Sequence, residues 1–166
     1  ERLEEGEWLL EFEEPEHLKE RLEEFGLPPL PPYIKRRRAS NLQNTKDRER
    51  YQTCYASVPG AIAAPTAGLH FTPEILEKIR NCGIEILEVT LHVGLGTFSA
   101  IEVEDIRKHK MHAEFFSVNA QALEQLKKYR QNQKKIICLG TTSVRVLESL
   151  AQQNFKVSSG WTDIFI

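Results

Sequence analysis

Ile136-Ile137-Cys138-Leu139-Gly140-Thr141-Thr142-Ser143-Val144-Arg145 is the stretch that decides the fold class. Its first four residues form a short, continuous apolar run, the pattern of a strand buried on both faces. Gly140 to Ser143 then turn, and Val144, Leu147 and Leu150 recur at the spacing of one helix face. A strand passing through a polar turn into a helix is the unit from which α/β domains are built, with a mostly parallel sheet and flanking helices. Moving toward the amino terminus, the pattern repeats. Asn119 caps a helix with the stripe Ala122, Leu123, Leu126 and Tyr129, and Phe115 to Val118 reads as a short strand before it. Ile84 to Leu91 is another β-type run. Thr72-Pro73-Glu74 opens a helix, with Thr as N-cap and Pro at its first position, which continues through Leu76 and Ile79 to Cys82-Gly83. Asp47 to Thr53 reads as a short helix carrying Tyr51.

The amino-terminal part reads differently. Trp8 to Phe12 has the aromatic and branched content of a strand, and Leu18, Leu22 and Phe25 follow Pro15 at helical spacing until Gly26 stops the helix. Pro28, Pro29, Pro31 and Pro32 then fix φ and remove amide donors, which predicts extended chain and a domain boundary. The ends, with no initiator methionine and a strand-like Trp161-Thr162-Asp163-Ile164-Phe165-Ile166, are those expected of a piece of a longer protein.

Composition excludes several classes. Of 166 residues, 40% are apolar and 28% charged, so neither a disordered tail nor a fibre is expected. No apolar run approaches the roughly 18–20 residues that span a bilayer. Three cysteines without CxxC or CxxH spacing argue against a disulfide scaffold or a zinc finger, and favour a reducing cytoplasm. The net charge of −2 conceals a segregation: residues 1–34 carry −8 and residues 35–50 carry +5. The run Lys35-Arg36-Arg37-Arg38 suits phosphates, and equally suits a solvated loop.

Four polar, glycine-flanked segments fall at the ends of the expected strands, where open α/β sheets bind ligands. Pro65-Thr66-Ala67-Gly68-Leu69-His70 precedes a helix start whose free amides favour an anion. His92-Val93-Gly94-Leu95-Gly96-Thr97-Phe98 ends a strand in a GxG turn open to close backbone approach. In an extended segment His112 and Glu114 point to the same side and form a candidate acid/base pair, the carboxylate fixing the imidazole tautomer. On a helix, His109 and His112 would instead share a face and could bind a metal, but no HExxH or further ligand completes a set. Thr141, Thr142 and Arg145 sit at a helix start able to hold a carboxylate or phosphate, or simply to cap the helix.

Taken together with Pro29-Leu30-Pro31-Pro32-Tyr33-Ile34, Tyr51-Gln52-Thr53, Thr90-Leu91-His92-Val93-Gly94, His109-Lys110-Met111-His112 and Trp161-Thr162-Asp163-Ile164-Phe165-Ile166, these motifs have the order of one family. The sequence resembles the S-adenosylmethionine:tRNA ribosyltransferase-isomerases of queuosine biosynthesis. The resemblance implies transfer and isomerisation of the ribosyl part of S-adenosylmethionine onto 7-aminomethyl-7-deazaguanine at a tRNA wobble position. Adenine and methionine leave, and epoxyqueuosine remains. S-adenosylmethionine is then a substrate, and neither a cofactor nor a metal is expected. The sulfonium already activates C5′, so positioned acids and bases suffice: His70, His92, His112 and Glu114 are the catalytic candidates. Pro65, Thr66, Gly68, Gly94, Gly96, Thr97, Phe98, Thr141, Thr142 and Arg145 are the candidates for binding substrate, with Arg145 and Thr142 on the methionine carboxylate. Lys35, Arg36, Arg37 and Arg38 are the tRNA candidates. The expected organisation is the tail of a smaller β-rich inserted domain in residues 1–26, a linker in 27–50, and part of the catalytic domain in 51–166, in a cytoplasmic monomer. The family turn continues Thr-Phe-x-Pro-Val, whereas Ser99-Ala100-Ile101 stand here, and Leu95 fills a slot that is usually small. Two rivals remain at this stage: a catalytically incomplete tRNA-binding remnant, and a metal-dependent hydrolase built on His70, His92, His109 and His112.

Overall fold

The core forms around Phe116, Val146 and Leu150, each wholly removed from solvent. A computed structural model describes residues 8–35, 41–98 and 103–166 of the chain, without the side chains of 41–45, 95 and 98. Its helices are α1 (Leu18–Phe25), α2 (Asn41–Arg50), α3 (Pro73–Asn81), α4 (Ala120–Gln131) and α5 (Gly140–Gln152). Its strands are β1 (Thr90–Leu91), β2 (Glu114–Ser117) and β3 (Ser159–Thr162). The strands pair in the order β1-β2-β3, with Leu91 opposite Phe116 and Phe115 opposite Trp161.

Alternation along β2 sorts its side chains: Glu114 and Phe116 are buried, while Phe115 and Ser117 lie on the other face. Helix α5 packs against β1 and β3 and against a 3-10 turn at Thr66–His70. Ala122, Leu123 and Leu126 of α4 join the same core. Burying each large side chain there contributes about 1.5–3 kcal/mol.

Several helix signals hold. Thr72 Oγ1 accepts from the Ile75 amide and Asn119 Oδ1 from the Ala122 amide, as expected of N-caps. Gly83 stands at φ +75 beyond α3, a left-handed position that favours glycine. The Arg48 guanidinium donates to the carbonyls of Glu23 and Gly26, tying the carboxy-terminal end of α1 to α2.

The sheet departs from expectation. The chain is mixed α/β, but the three strands among the described residues pair antiparallel, where a mostly parallel sheet was expected. Among the described residues Ile136 to Leu139 and Ile84 to Val89 enter no ladder, and Trp8 to Phe12 forms no strand beyond an isolated bridge at Trp8. An apolar run becomes a buried strand only when neighbours cover both its edges and faces. Here Ile137 remains 78% exposed and Ile84 54%.

Helix α5 also differs in detail. Leu139 occupies the N-cap with no side-chain bond, so Thr141 and Thr142 lie inside the first turn instead of capping it. Gly140 takes φ +76, a left-handed position that favours glycine, and an added Cβ would also press on the Ala67 Cβ at 3.0 Å. The buried face is Arg145, Val146, Ser149 and Leu150, whereas the expected inward residues Val144 and Leu147 are half-buried.

Candidate functional site

A cleft of about 240 Å³ opens where the loops around β1 meet the start of α5. The expected binding residues Pro65, Thr66, Thr97, Thr141, Thr142 and Arg145 all line it. So do Pro31, Tyr33 and Tyr51, together with Ala63, Ala64, Leu91 and Val93. Five separate segments therefore contribute to one cleft. Its volume is below the ~300 Å³ at the low end of small-molecule pockets, room for only part of such a ligand.

Each lining residue is there for a local reason. The residues after Pro65 form a 3-10 turn, and Gly68 is buried within it against the side chains of Thr53 and Tyr55. Any side chain at 68 would displace that tyrosine. Leu91 and Val93 belong to the same face of the strand and its extension, both buried. Thr141 and Thr142 present hydroxyls beside the free amides of the first turn of α5, where the helix dipole favours negative charge. Tyr51 is buried under the cleft, and that burial pushes its phenol above the ordinary tyrosine value. Its role was not read from the sequence, although the Tyr51-Gln52-Thr53 motif and the proline-rich stretch containing Pro31 and Tyr33 were the available signals.

The turn after β1 is held from below. Glu114 Oε1 accepts from the Gly94 amide at 2.9 Å and from Thr97 Oγ1 at 3.3 Å. Its other oxygen pairs with Arg145 Nη1. Both residues are buried. Gly96 packs on the His112 ring, so His112 and Glu114 both meet this turn. The Phe98 side chain lies outside the described residues.

None of the three expected imidazoles lines the cleft. His70 is exposed at the end of its 3-10 turn. His92 donates its amide to the Phe115 carbonyl, and its ring stacks on Phe115 at 6.0 Å between centroids. That places it on the face of the sheet opposite Glu114. Gly60, at φ +136, lies against the His92 ring, whose Nδ1 is buried with no partner among the described residues. His112 is exposed beside Gly96. The His109 and His112 stretch is not helical, and His109 packs edge-on against Phe165. Among the described residues no group of three His, Cys, Asp or Glu side chains converges on a metal position. Lys35 is exposed, and Arg36, Arg37 and Arg38 lie outside the described residues. No helix among the described residues is long and apolar enough to cross a membrane.

Comparison with known proteins gives a consistent result. The family described as "Queuosine biosynthesis protein" matches residues 1–166. A protein of Sulfurihydrogenibium sp. (strain YO3AOP1), named S-adenosylmethionine:tRNA ribosyltransferase-isomerase, is 49% identical over 149 residues, covering 90% of this chain and 42% of that protein. Proteins of the same name from Macrococcus caseolyticus (strain JCSC5402) and Clostridioides difficile (strain 630) are each 46% identical, over 168 and 164 residues. These alignments cover 100% and 98% of this chain, and 47% and 46% of the two relatives. The chain spans about half the length of the relatives it matches.

Proposed function

The chain belongs to the queuosine biosynthesis protein family, and from that membership we propose that its cleft forms part of the site of an S-adenosylmethionine-dependent tRNA ribosyltransferase-isomerase. The reaction transfers and isomerises the ribosyl part of S-adenosylmethionine onto 7-aminomethyl-7-deazaguanine at the tRNA wobble position, releasing adenine and methionine. The observation that carries this reading is the meeting of Pro65, Thr66, Thr97, Thr141 and Thr142 around one cleft beside Tyr51. Hydroxyls and helix-start amides suit the carboxylate end of the substrate, and the Tyr33 and Tyr51 rings suit its planar base. S-adenosylmethionine supplies its own activation through the sulfonium, so the reading includes no resident cofactor and no metal.

Acid or base work is assigned to His112, and its position against Gly96, on the turn whose Thr97 reaches the cleft, supports that assignment. His70 and His92 stay in the proposal as catalytic candidates. Lys35 and the run Arg36-Arg37-Arg38 are assigned to tRNA phosphates. The fuller fold of the reading is a mostly parallel sheet completed outside these residues. Its divisions are 1–26 as the tail of an inserted β-rich domain, 27–50 as linker and 51–166 as catalytic domain, in a cytoplasmic monomer.

A second reading, a tRNA-binding remnant without turnover, is favoured by the cleft lining, which includes none of His70, His92 and His112. Incubating the chain with S-adenosylmethionine and tRNA bearing the precursor base separates the two. Adenine release supports the enzyme, tRNA binding without adenine supports the remnant, and neither result overturns both.

A further inference from the structure

Arg145 borders the cleft, yet each of its three guanidinium nitrogens has a partner within the protein. Nη1 pairs with Glu114, Nε donates to the Ile164 carbonyl at 2.9 Å, and Nη2 to the Thr162 carbonyl at 3.2 Å. Glu114 is engaged as fully, by Arg145, the Gly94 amide and the Thr97 hydroxyl. The two side chains are 7% and 3% exposed. Behind them Ser149 Oγ lies 2.6 Å from Thr162 Oγ1 and 2.7 Å from the Arg145 carbonyl, closing a buried polar set between α5 and β3.

A carboxylate with this set of donors is an acceptor only, and a guanidinium with all three nitrogens bonded inside the protein and its side chain buried presents little to a ligand. What the pair does possess is reach. It connects the turn after β1, the first residue of β2, the second turn of α5 and the segment after β3. Two of those segments, through Thr97 and through Thr141 and Thr142, line the same cleft.

We infer that Glu114 and Arg145 are positioning residues acting as one unit, which sets the Gly94–Phe98 turn against the start of α5 and so fixes the shape of the cleft. Proton transfer by Glu114 and carboxylate binding by Arg145, the roles their residue types suggested, are replaced by this one. The bearing on catalysis rests on the function proposed above; the mechanical coupling does not. A buried pair of this kind is weak evidence of stability, but removing one partner leaves an uncompensated charge or an unpaired donor.

The test uses the isotopically labelled chain and the variants Glu114→Gln, Arg145→Gln, Arg145→Lys and Glu114→Gln/Arg145→Gln. Amide exchange is read at Gly94 and Ile164, against the core helix amide of Leu150. Arg145 does not bond Gly94, so a rise in Gly94 exchange of about tenfold or more in Arg145→Gln, with Leu150 unchanged, shows transmission through Glu114. Arg145→Lys keeps the charge without the fork and gives a smaller rise; it also carries the readout should Arg145→Gln not fold. Affinity for S-adenosylmethionine falls in both single variants, and the double variant is no weaker than the weaker single, as for two groups acting together. Adenine release by Glu114→Gln declines with both limbs of its pH profile intact. Unchanged Gly94 exchange in the Arg145 variants, losses that multiply in the double variant, or a lost pH limb would each overturn the inference. A wild-type chain that binds no S-adenosylmethionine counts against the proposed function, and the exchange coupling then decides the positioning role by itself.

Discussion

Gly94 and Gly96 stand two residues apart in one turn and should respond to alanine in opposite ways. At Gly96 an added Cβ falls on the His112 ring, 2.7 Å from Cγ and 3.0 Å from Cβ, and closer still to Cδ2. Comfortable carbon contacts are about 3.5–4.0 Å, so the imidazole has to retreat by about 1 Å. Rotating the exposed ring relieves part of the overlap. The Cβ of His112 is fixed to the backbone, however, so the strand entering β2 must move as well. Overpacking of this kind costs about 1–2 kcal/mol, or roughly 3–6 °C in Tm for a chain of this size. At Gly94 the nearest atom to an added Cβ is Glu114 Oε1 at 4.0 Å, an ordinary contact. Gly94 is absent from the positive-φ glycines, so alanine fits its backbone and gains about 0.4–1 kcal/mol by restricting the unfolded chain. Thermal unfolding followed by circular dichroism measures both. Calorimetric titration with S-adenosylmethionine then reports whether displaced His112 weakens the site in Gly96→Ala. A Gly96→Ala chain as stable as wild type, or a Gly94→Ala chain equally damaged, would refute the account of this turn.

Three further outcomes are expected. Phe116→Ala, at the centre of the core, loses about 3–5 kcal/mol in urea unfolding, while Trp161→Ala, 68% exposed on the other face, stays within about 1 kcal/mol. Burial raises the Tyr51 phenol, so its contribution to stability is full below the unfolded value of about 10 and is lost as pH rises from there through the folded value; Tyr51→Phe flattens that alkaline decline, and Tyr55, raised by the same cause, retains a share of it. Burial, reinforced by Glu148, also raises the Cys138 thiol, so iodoacetamide at pH 8 labels the exposed Cys54 and Cys82 before Cys138, as peptide mass spectrometry would show.

The starts of α3 and α4 were legible because their signals are local, whereas the helix expected over Asp47 to Thr53 is instead α2 (Asn41–Arg50), which ends before Tyr51. Thr72 with Pro73, and Asn119 with Ala122, specify their caps within one turn of chain, and the structure reproduces both. Strands were less legible because a strand is defined by its partners. Phe115 to Ser117 found partners on both sides and became the central strand. Ile136 to Leu139 has the same apolar signature and found none among the described residues. A run of isoleucines records that such a segment is built to be covered, without recording by what. That is how a strand-like sequence comes to lie 78% exposed at Ile137.

The site was legible as a set of segments but not as a set of roles. Glycine, threonine and histidine types marked the loops that meet at the cleft, since small and hydroxylated residues at strand ends are a property of composition. Roles depend on which face a side chain takes. One residue of register sends His92 to the side of Phe115 and Trp161, while Glu114, one residue from Phe115 on β2, goes to the core. A usable signal did exist for Glu114. It shares the parity of Phe116 along β2, and Arg145 shares the α5 face of Ser149 and Leu150, so both charges occupy core positions. An acid and a base each assigned to the interior are far more economically paired with each other than left to wait for a ligand. Parity along β2 together with helical phase along α5 therefore selects the Glu114–Arg145 pair before any distance is measured, and it argues for seeking the proton carriers of the proposed reaction among side chains that remain at the surface, His112 first.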